Sequence, residues 1–147
     1  MESKKAPAPR RLQWYSKAVY QGLACPYCES ATRVIDSALV YHQDDGWIMA
    51  CLRYPDCDSF VRCHPHTMRA TGGLGDSETR GARAKAHNVF DKMWRSPGKK
   101  PRNSDRKRAY KWLAGELGID EELCHMGYFD ADMCRRVISI CEGKGGA

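Results

Sequence analysis

The chain has 147 residues, which is enough for one domain or for two small modules that share a core. An apolar fraction of 42%, with four tryptophans and seven tyrosines, excludes a chain that is disordered throughout. The net charge of +6 favours an anionic partner, and no apolar run approaches the roughly 20 residues that a membrane span needs.

The N-terminal segment argues against secretion. Residues 1–11 are charged and contain Pro7 and Pro9, so they lack the apolar stretch of a secretory signal. We therefore expect a cytoplasmic protein with no membrane contact. In that reducing compartment, the eight cysteines are metal ligands or buried thiols rather than disulfides.

The composition of the first half of the chain is typical of a small β-structure. We interpret residues 1–21 as a basic, flexible tail that ends in a short helix at residues 13–21. Residues 22–70 follow as a separate module in which β-branched and aromatic residues predict strands. These strands fall within 31–41, 47–51 and 59–63, and turns are predicted at Asp44-Asp45-Gly46 and Tyr54-Pro55-Asp56.

The second half, residues 71–147, is predicted to be a basic helical unit. Asp76 or Ser77 can cap a first helix that ends near Arg95, because its apolar residues recur at helical spacing. Residues 96–103 then form a basic linker that contains Pro97, Gly98 and Pro101.

Three further residues predict where the remaining helices begin and end. Ser104 is the expected cap of a second helix, which stops at Gly118, and Asp130 is the expected cap of a third. The predicted fold is therefore α+β, with an N-terminal zinc ribbon of two or three short antiparallel strands and a C-terminal unit of about three helices.

Four cysteines in the first module have the spacing of zinc ligands. Cys25 and Cys28 are separated by two residues, so one turn can present both sulfurs to a metal. Cys51 and Cys57 are further apart, but the Tyr54-Pro55 turn between them can bend the chain back. Because a module of this size buries little apolar surface, metal binding would supply much of its folding free energy. We predict one structural zinc ion; iron would also suit four thiolates, but nothing in the sequence indicates redox work.

Two resemblances accompany these residues. The pattern Cys-Pro-x-Cys, a hairpin, and Cys-x-x-Tyr-Pro-x-Cys resembles the four-cysteine zinc ribbon of bacterial type I topoisomerases. That resemblance implies binding of single-stranded DNA, with Trp47 and Tyr54 as base-stacking candidates beside Tyr27 and Phe60. None of the topoisomerase catalytic parts accompanies it.

The second resemblance extends from Cys25 over nearly the whole remaining chain. The chain is similar to a family of phage and prophage proteins described as zinc-finger-containing, which implies a zinc site and a viral setting but no activity. The motifs that carry the resemblance are Cys-Pro-Tyr-Cys from Cys25, Val-Arg-Cys-His-Pro from Val61, Arg80 with Ala-His from Ala86 and Phe-Asp from Phe90, Tyr-Lys-Trp-Leu-Ala from Tyr110, and Cys-His-Met-Gly-Tyr-Phe-Asp from Cys124.

The remaining cysteines and histidines have two interpretations each. Cys63, His64 and His66 are either a second metal set or ordinary loop residues. Cys134 and Cys141 lie seven residues apart on an apolar helical stripe, which favours core packing over a second zinc site with Cys124 and His125.

Positive charge is concentrated in one segment. Residues 78–111 contain twelve basic and three acidic residues, a net charge of +9, whereas residues 116–142 have a net charge of −5 from two basic and seven acidic residues. Such clustering favours a nucleic-acid backbone as partner, although a solvated linker and helix face is the plainer interpretation. The candidate contact residues here are Arg80, Arg83, Lys99, Lys100, Arg102, Arg106, Lys107 and Arg108.

Three functional hypotheses follow. The first is a phage-type accessory protein that binds nucleic acid, DNA rather than RNA, through the ribbon and the basic helical segment. The second is a metal-dependent nuclease that uses His64, His66, His87 and Asp91, since His87 and Asp91 lie four residues apart on a helix and can touch. The third is a protein-interaction module that acts on a host complex.

Overall fold

The structure is a computed structural model that describes residues 17–41, 46–95 and 98–145. The chain divides into two compact units, one that ends at Ser77 and one that begins at Glu78. Most of the predicted basic tail and two residues of the predicted Asp44-Asp45-Gly46 turn lie outside the described residues.

The first unit is built around a three-stranded antiparallel sheet with strand order β1-β2-β3. In β1–β2, Thr32 lies opposite Cys51 and Asp36 lies opposite Trp47. In β2–β3, Ile48 pairs with Arg62 and Ala50 pairs with Phe60. The elements in chain order are α1 (Lys17–Tyr20), β1 (Thr32–Asp36), α2 (Ala38–Tyr41), β2 (Trp47–Cys51) and β3 (Phe60–Arg62).

Side chains alternate across the sheet, so its two faces support separate clusters of buried residues. Met49 and Cys51 of β2 belong to one cluster, together with Cys25 and Leu74. The residues between them in β2, Ile48 and Ala50, belong to a second cluster with Phe60. Burial on both faces explains why four of the five residues of β2 are buried, as expected for a central strand.

The segment 31–41 is only partly a strand. Extended structure ends at Asp36, whose carboxylate Oδ1 accepts a hydrogen bond of 2.9 Å from the backbone N–H of Ala38. The N–H of Val40 then donates to the carbonyl of Ser37, and the short helix α2 follows. A local side-chain bond from an aspartate thus diverts the backbone out of the sheet, despite the β-branched residues that favour a strand.

The first unit extends past the predicted ribbon boundary at residue 70. Isolated bridges join Cys63 to Ala70 and Phe60 to Gly75, and Leu74 is fully buried against the sheet. The Gly-rich loop therefore covers the ribbon, because its backbone groups pair with β3.

The second unit contains three long helices. Together with the antiparallel sheet of the first unit, they confirm the α+β fold class. The helices are α3 (Ser77–Trp94), α4 (Asn103–Leu117) and α5 (Ala131–Gly145), and the short 3-10 turns Glu121–Leu123 and Met126–Tyr128 lie between α4 and α5. Among the described residues, no helix combines the length and the hydrophobicity that a membrane span requires.

Of the three boundaries predicted for the second and third helices, two are confirmed. Gly118 adopts a left-handed conformation with φ of 70° at the end of α4, a conformation that glycine adopts without steric cost. The Asp130 carboxylate accepts a 2.8 Å hydrogen bond from the N–H of Met133, so Asp130 caps α5. The prediction that Ser104 caps α4 is wrong: the helix begins at Asn103, and Arg102 occupies the capping position without a side-chain cap.

The second unit has its own buried core. The Nε of Arg83 donates to the carbonyl of Phe129 at 2.9 Å, and the Arg135 side chain contacts Glu78 near the beginning of α3. These bonds tie α3 to the segments around α5. The fully buried large side chains of this unit include Phe90, Leu113, Phe129, Val137, Cys124, Cys134 and Cys141.

Candidate metal centre

Four cysteine sulfurs converge beside the sheet of the first unit. The Sγ atoms of Cys25, Cys28, Cys51 and Cys57 all lie within 4.8 Å of one another. Two of the six separations are 3.6 Å, between Cys25 and Cys57, and 3.4 Å, between Cys28 and Cys51. Sulfurs about 2.3 Å from a tetrahedral zinc ion are separated by about 3.8 Å, so the arrangement fits that ion and is too wide for disulfides.

The first pair of sulfurs is presented by a tight backbone turn. The carbonyl of Cys25 accepts a hydrogen bond of 2.9 Å from the N–H of Glu29. The N–H of Cys25 donates to the carbonyl of Ser30, also at 2.9 Å. Glu29 closes the turn with a positive φ of 63°. The turn projects Cys25 and Cys28 to the same side because its backbone folds back on itself within six residues.

The second pair is held by the end of β2 and the turn that follows it. Cys51 is the last residue of β2, and its carbonyl accepts from the N–H of Tyr54 at 2.9 Å. The N–H of Cys57 then donates to the carbonyl of Arg53 at 3.1 Å, which brings Cys57 back towards Cys51. A bond from the N–H of Leu52 to the carbonyl of Ala31 joins this turn to the first one, so the sheet fixes the distance between the pairs.

Backbone amides point at the sulfurs, as a thiolate centre requires. The amides of Tyr27 and Cys28 donate to the sulfur of Cys25, and the amide of Arg53 lies 3.4 Å from the sulfur of Cys51. These N–H groups stabilise negative charge on sulfur, the form that binds metal.

Without a cation, burial opposes ionisation of the Cys25 and Cys51 thiols. Burial raises the pKa of Cys51 to about 12 and also raises the pKa of Cys25. A hydrogen bond with the hydroxyl of Ser30 lowers the pKa of Cys28 to about 6. A dication beside the four sulfurs offsets both the desolvation and the repulsion between neighbouring thiolates, so metal uptake displaces protons.

Two serine hydroxyls complete the centre, and we did not predict either from the sequence. The Oγ of fully buried Ser59 lies 3.1 Å from the sulfur of Cys25 and 3.5 Å from that of Cys57. The Oγ of Ser30 lies 3.3 Å from the sulfur of Cys28. The sequence contains a usable signal, because the second cysteine of each pair is followed two residues later by serine: Cys28-Glu29-Ser30 and Cys57-Asp58-Ser59.

Among the cysteines and histidines that the structure describes, no second centre forms. Within the described ranges, the only group of three or more potential metal ligands is the four-cysteine set. Cys63 packs against the buried cluster of the ribbon, and His64 and His66 are exposed in the following loop. Cys124, Cys134 and Cys141 are buried in the second unit, and burial raises the pKa of each. They are packing thiols.

His87 and Asp91 do touch, as their spacing predicts. The Nδ1 of His87 lies 3.0 Å from Oδ2 of Asp91, and the Nε1 of Trp94 donates to Oδ1 of the same carboxylate at 3.0 Å. Both carboxylate oxygens are therefore engaged on the helix surface, and the pair orients Trp94. The two histidines of the loop, His64 and His66, belong to the other unit.

The ribbon aromatics differ in how they are held. Tyr54 packs edge-on against Phe60 with ring centroids 6.1 Å apart, and the Tyr27 hydroxyl accepts a bond from the N–H of Asp76. Trp47 is 42% exposed. Of the two base-stacking candidates, Trp47 is therefore the more exposed, because Tyr54 is half-buried.

The predicted basic contact residues are mostly exposed. Lys99, Lys100, Arg106, Lys107 and Arg108 are exposed along the segment that leads into α4. Arg102 is also exposed but binds Asp105 through two hydrogen bonds of 2.9 and 3.2 Å, and these raise the pKa of Arg102 and lower that of Asp105. In α3, Arg80 is half-buried, and Arg83 is held by its bond to the Phe129 carbonyl.

Comparison with known proteins agrees with this centre. A family model described as a zinc-finger-containing domain matches residues 21–144, and the chain belongs to that family. No curated protein and no solved structure matches the chain. Together, the family and the geometry identify a zinc-binding protein with one ion at the four cysteines.

Proposed function

We propose that this member of the zinc-finger-containing domain family is a nucleic-acid-binding accessory protein that prefers DNA to RNA. Zinc has a structural role in this proposal, since four cysteine ligands fill the tetrahedral positions and leave none for a water or a substrate. The resemblance to topoisomerase ribbons supports DNA, and the resemblance to phage proteins supports action in the cytoplasm of a phage-infected host.

The observation that carries the proposal is the exposed positive charge of the second unit. Residues 78–111 have a net charge of +9, and their lysine side chains described along residues 98–111 are all exposed. The carboxylate of Asp105 accepts from Arg102 and Arg108, so it neutralises only part of this charge. A polyanion would gain affinity here through counterion release.

Binding measured as a function of salt tests the proposal. The affinity for labelled oligonucleotides should fall linearly on a log–log plot, with a slope of roughly −0.7 to −0.9 per neutralised phosphate. The triple variant Lys99→Gln, Lys100→Gln, Lys107→Gln should flatten that slope and weaken binding to all sequences alike, because phosphate contacts carry no sequence information.

A matched control separates local contacts from net charge. Arg33, Arg53 and Arg69 are exposed in the ribbon, and replacing all three with Gln removes the same charge from the other unit. That variant should retain most of the parent's slope. If both triple variants behave alike, or if the Lys variant binds as tightly as the parent at every salt concentration, the basic segment is a solvated surface.

A second candidate function, binding to a host protein complex, is supported by apolar side chains on the ribbon. Leu23, Leu39, Trp47 and Leu52 are between 42% and 69% exposed. Exposed large apolar residues are common at protein interfaces. In this case, the double variant Leu39→Ser, Trp47→Ser would abolish co-purification with the complex, whereas the Lys triple variant would retain it.

A further inference from the structure

Two adjoining hollows lie in the second unit, where the end of α3 meets the beginning of α4. One has a volume of about 270 Å³ and the other about 390 Å³. Trp94, Arg102 and Asp105 line both hollows, so the two form neighbouring compartments of one depression. A compartment of the larger volume is in the range of pockets that take small organic groups.

The smaller compartment is cationic. Arg95, Lys99 and Lys100 line it, and all three side chains are exposed at its rim. Arg102 also lines both compartments, and both carboxylate oxygens of Asp105 accept hydrogen bonds from its guanidinium. Positive charge from several directions at one small hollow is suited to a phosphate group.

The larger compartment has an apolar and aromatic part, beside the charged side chains of Arg102, Asp105 and Arg108. Its floor is Phe90, which is fully buried, and its walls include Met93, Trp112 and Ala109. Flat aromatic walls above an apolar floor are suited to a planar ring, and stacking of this kind tolerates any base.

The aromatic wall between the compartments is fixed in orientation. Asp91 accepts a 3.0 Å bond from Nε1 of Trp94, and the guanidinium of Arg95 lies 5.3 Å from the Trp94 ring centroid. The Trp94 wall therefore needs no rearrangement when a base enters beside it, which lowers the entropic cost of binding.

From this juxtaposition we propose that the depression binds one nucleotide of a single strand, with the base against Trp112 and an adjacent phosphate at Lys99 and Lys100. The inference rests on the proposed nucleic-acid binding and adds a base-binding site in the helical unit. Bases in a duplex are stacked and paired, so entry of a base into the depression requires a single strand.

The first test uses the unaltered protein. Its affinity for a labelled thymidine strand of about ten nucleotides is compared, by fluorescence anisotropy, with that for an abasic strand of equal length. The two strands carry the same charge, so any difference reports base contacts. We expect roughly tenfold tighter binding of the thymidine strand, as stacking of one base on an aromatic ring provides.

Three variants locate the preference. Trp112→Leu removes the stacking wall, and Ala109→Leu fills the apolar compartment without deleting a large side chain. Each should lower the affinity for the thymidine strand to that for the abasic strand and leave abasic binding unchanged. Trp47→Leu removes the exposed tryptophan of the ribbon and tests whether the ribbon carries the preference instead. Leu52→Ala, at an exposed apolar residue of the ribbon, is the control and should retain the tenfold preference.

The outcomes separate this inference from the proposed function. Equal affinity of the unaltered protein for both strands overturns the depression as a base site but leaves charge-driven binding intact. Loss of the preference in Trp47→Leu, with retention in Trp112→Leu and Ala109→Leu, also overturns it and assigns base contacts to the ribbon. If neither strand binds at low salt, the proposed function fails as well.

Discussion

The two units of this chain are stabilised by different means. The ribbon has three strands of three to five residues, and two of its four zinc ligands, Cys25 and Cys51, are themselves part of its buried cluster. The helical unit buries large side chains such as Phe90, Leu113, Phe129 and Val137, and no metal-ligand cluster occurs in the part of it that is described. One unit depends on a metal for its core, and the other is held by apolar packing.

The comparison shows that cysteine has two roles in one chain, set by backbone conformation. The ribbon cysteines lie in or beside turns, where backbone amides such as those of Tyr27 and Arg53 donate to sulfur. Cys134 and Cys141 lie within α5, where amides bond to carbonyls four residues earlier and are unavailable to a thiolate. A helical cysteine on an apolar stripe is therefore a small hydrophobic residue.

The largest expected effect is loss of the metal. Cys28→Ser should abolish zinc binding and unfold the ribbon, because structural zinc supplies on the order of 10 kcal/mol in small zinc-binding domains. Mass spectrometry measures the bound zinc, and hydrogen exchange reports unfolding by segment. Protection should disappear within residues 22–77 and persist in α3, α4 and α5. Cys63→Ala, in a cysteine that only packs against the same cluster, is the control and should keep one zinc ion.

The next effect belongs to the helical unit. Phe129 is 1% exposed, so Phe129→Ala should lower the free energy of unfolding of this unit by about 3–5 kcal/mol through lost burial and a residual cavity. Chemical denaturation followed by circular dichroism measures the loss. Zinc content should stay at one ion per chain; a fall in zinc would show that the two units do not hold their cores independently.

A smaller effect is expected from the buried hydroxyl beside the zinc ligands. Ser59→Ala removes the group that lies within 3.5 Å of both Cys25 and Cys57, so zinc affinity should fall about 10- to 100-fold without loss of the ligands. Competition with a chelator measures the change. Ser37→Ala is a matched control, since Ser37 is equally buried in the ribbon but follows Asp36, at the end of β1 that pairs with Trp47 rather than with Cys51. Equal zinc affinity of Ser59→Ala and the parent would contradict the assigned role.

The smallest effect sharpens the distinction between the two kinds of cysteine. Cys134→Ala should lower the free energy of unfolding by roughly 1 kcal/mol, because it removes one small buried side chain, and should leave the zinc content unchanged. Thermal unfolding and metal analysis check the two parts. Fewer than one zinc ion per chain in this variant would mean that Cys134 is a ligand rather than a core residue.

The elements that were predictable are those whose signals are local. The return strand at residues 47–51, the end of α4 at Gly118 and the cap of α5 at Asp130 each follow from a few adjacent residues. The diversion of the backbone at Asp36 was missed, because the β-branched residues around it gave a stronger strand signal than one capping carboxylate. Ser104 has the residue type of a helix cap, but the helix begins one residue before it, so residue type alone does not locate the boundary.

The sequence by itself determined the zinc ligands, the α+β class and the concentration of positive charge, because ligand spacing, hydrophobic periodicity and charge can be counted along the chain. Tertiary structure alone decided which groups meet across long separations. Ser59 reaches Cys25 from 34 residues away, Arg83 reaches the Phe129 carbonyl from 46 residues away, and Trp94 and Trp112 line one depression. These long-range contacts depend on how strands and helices pack. Packing results from many weak contacts, so it cannot be inferred from any short segment of the sequence.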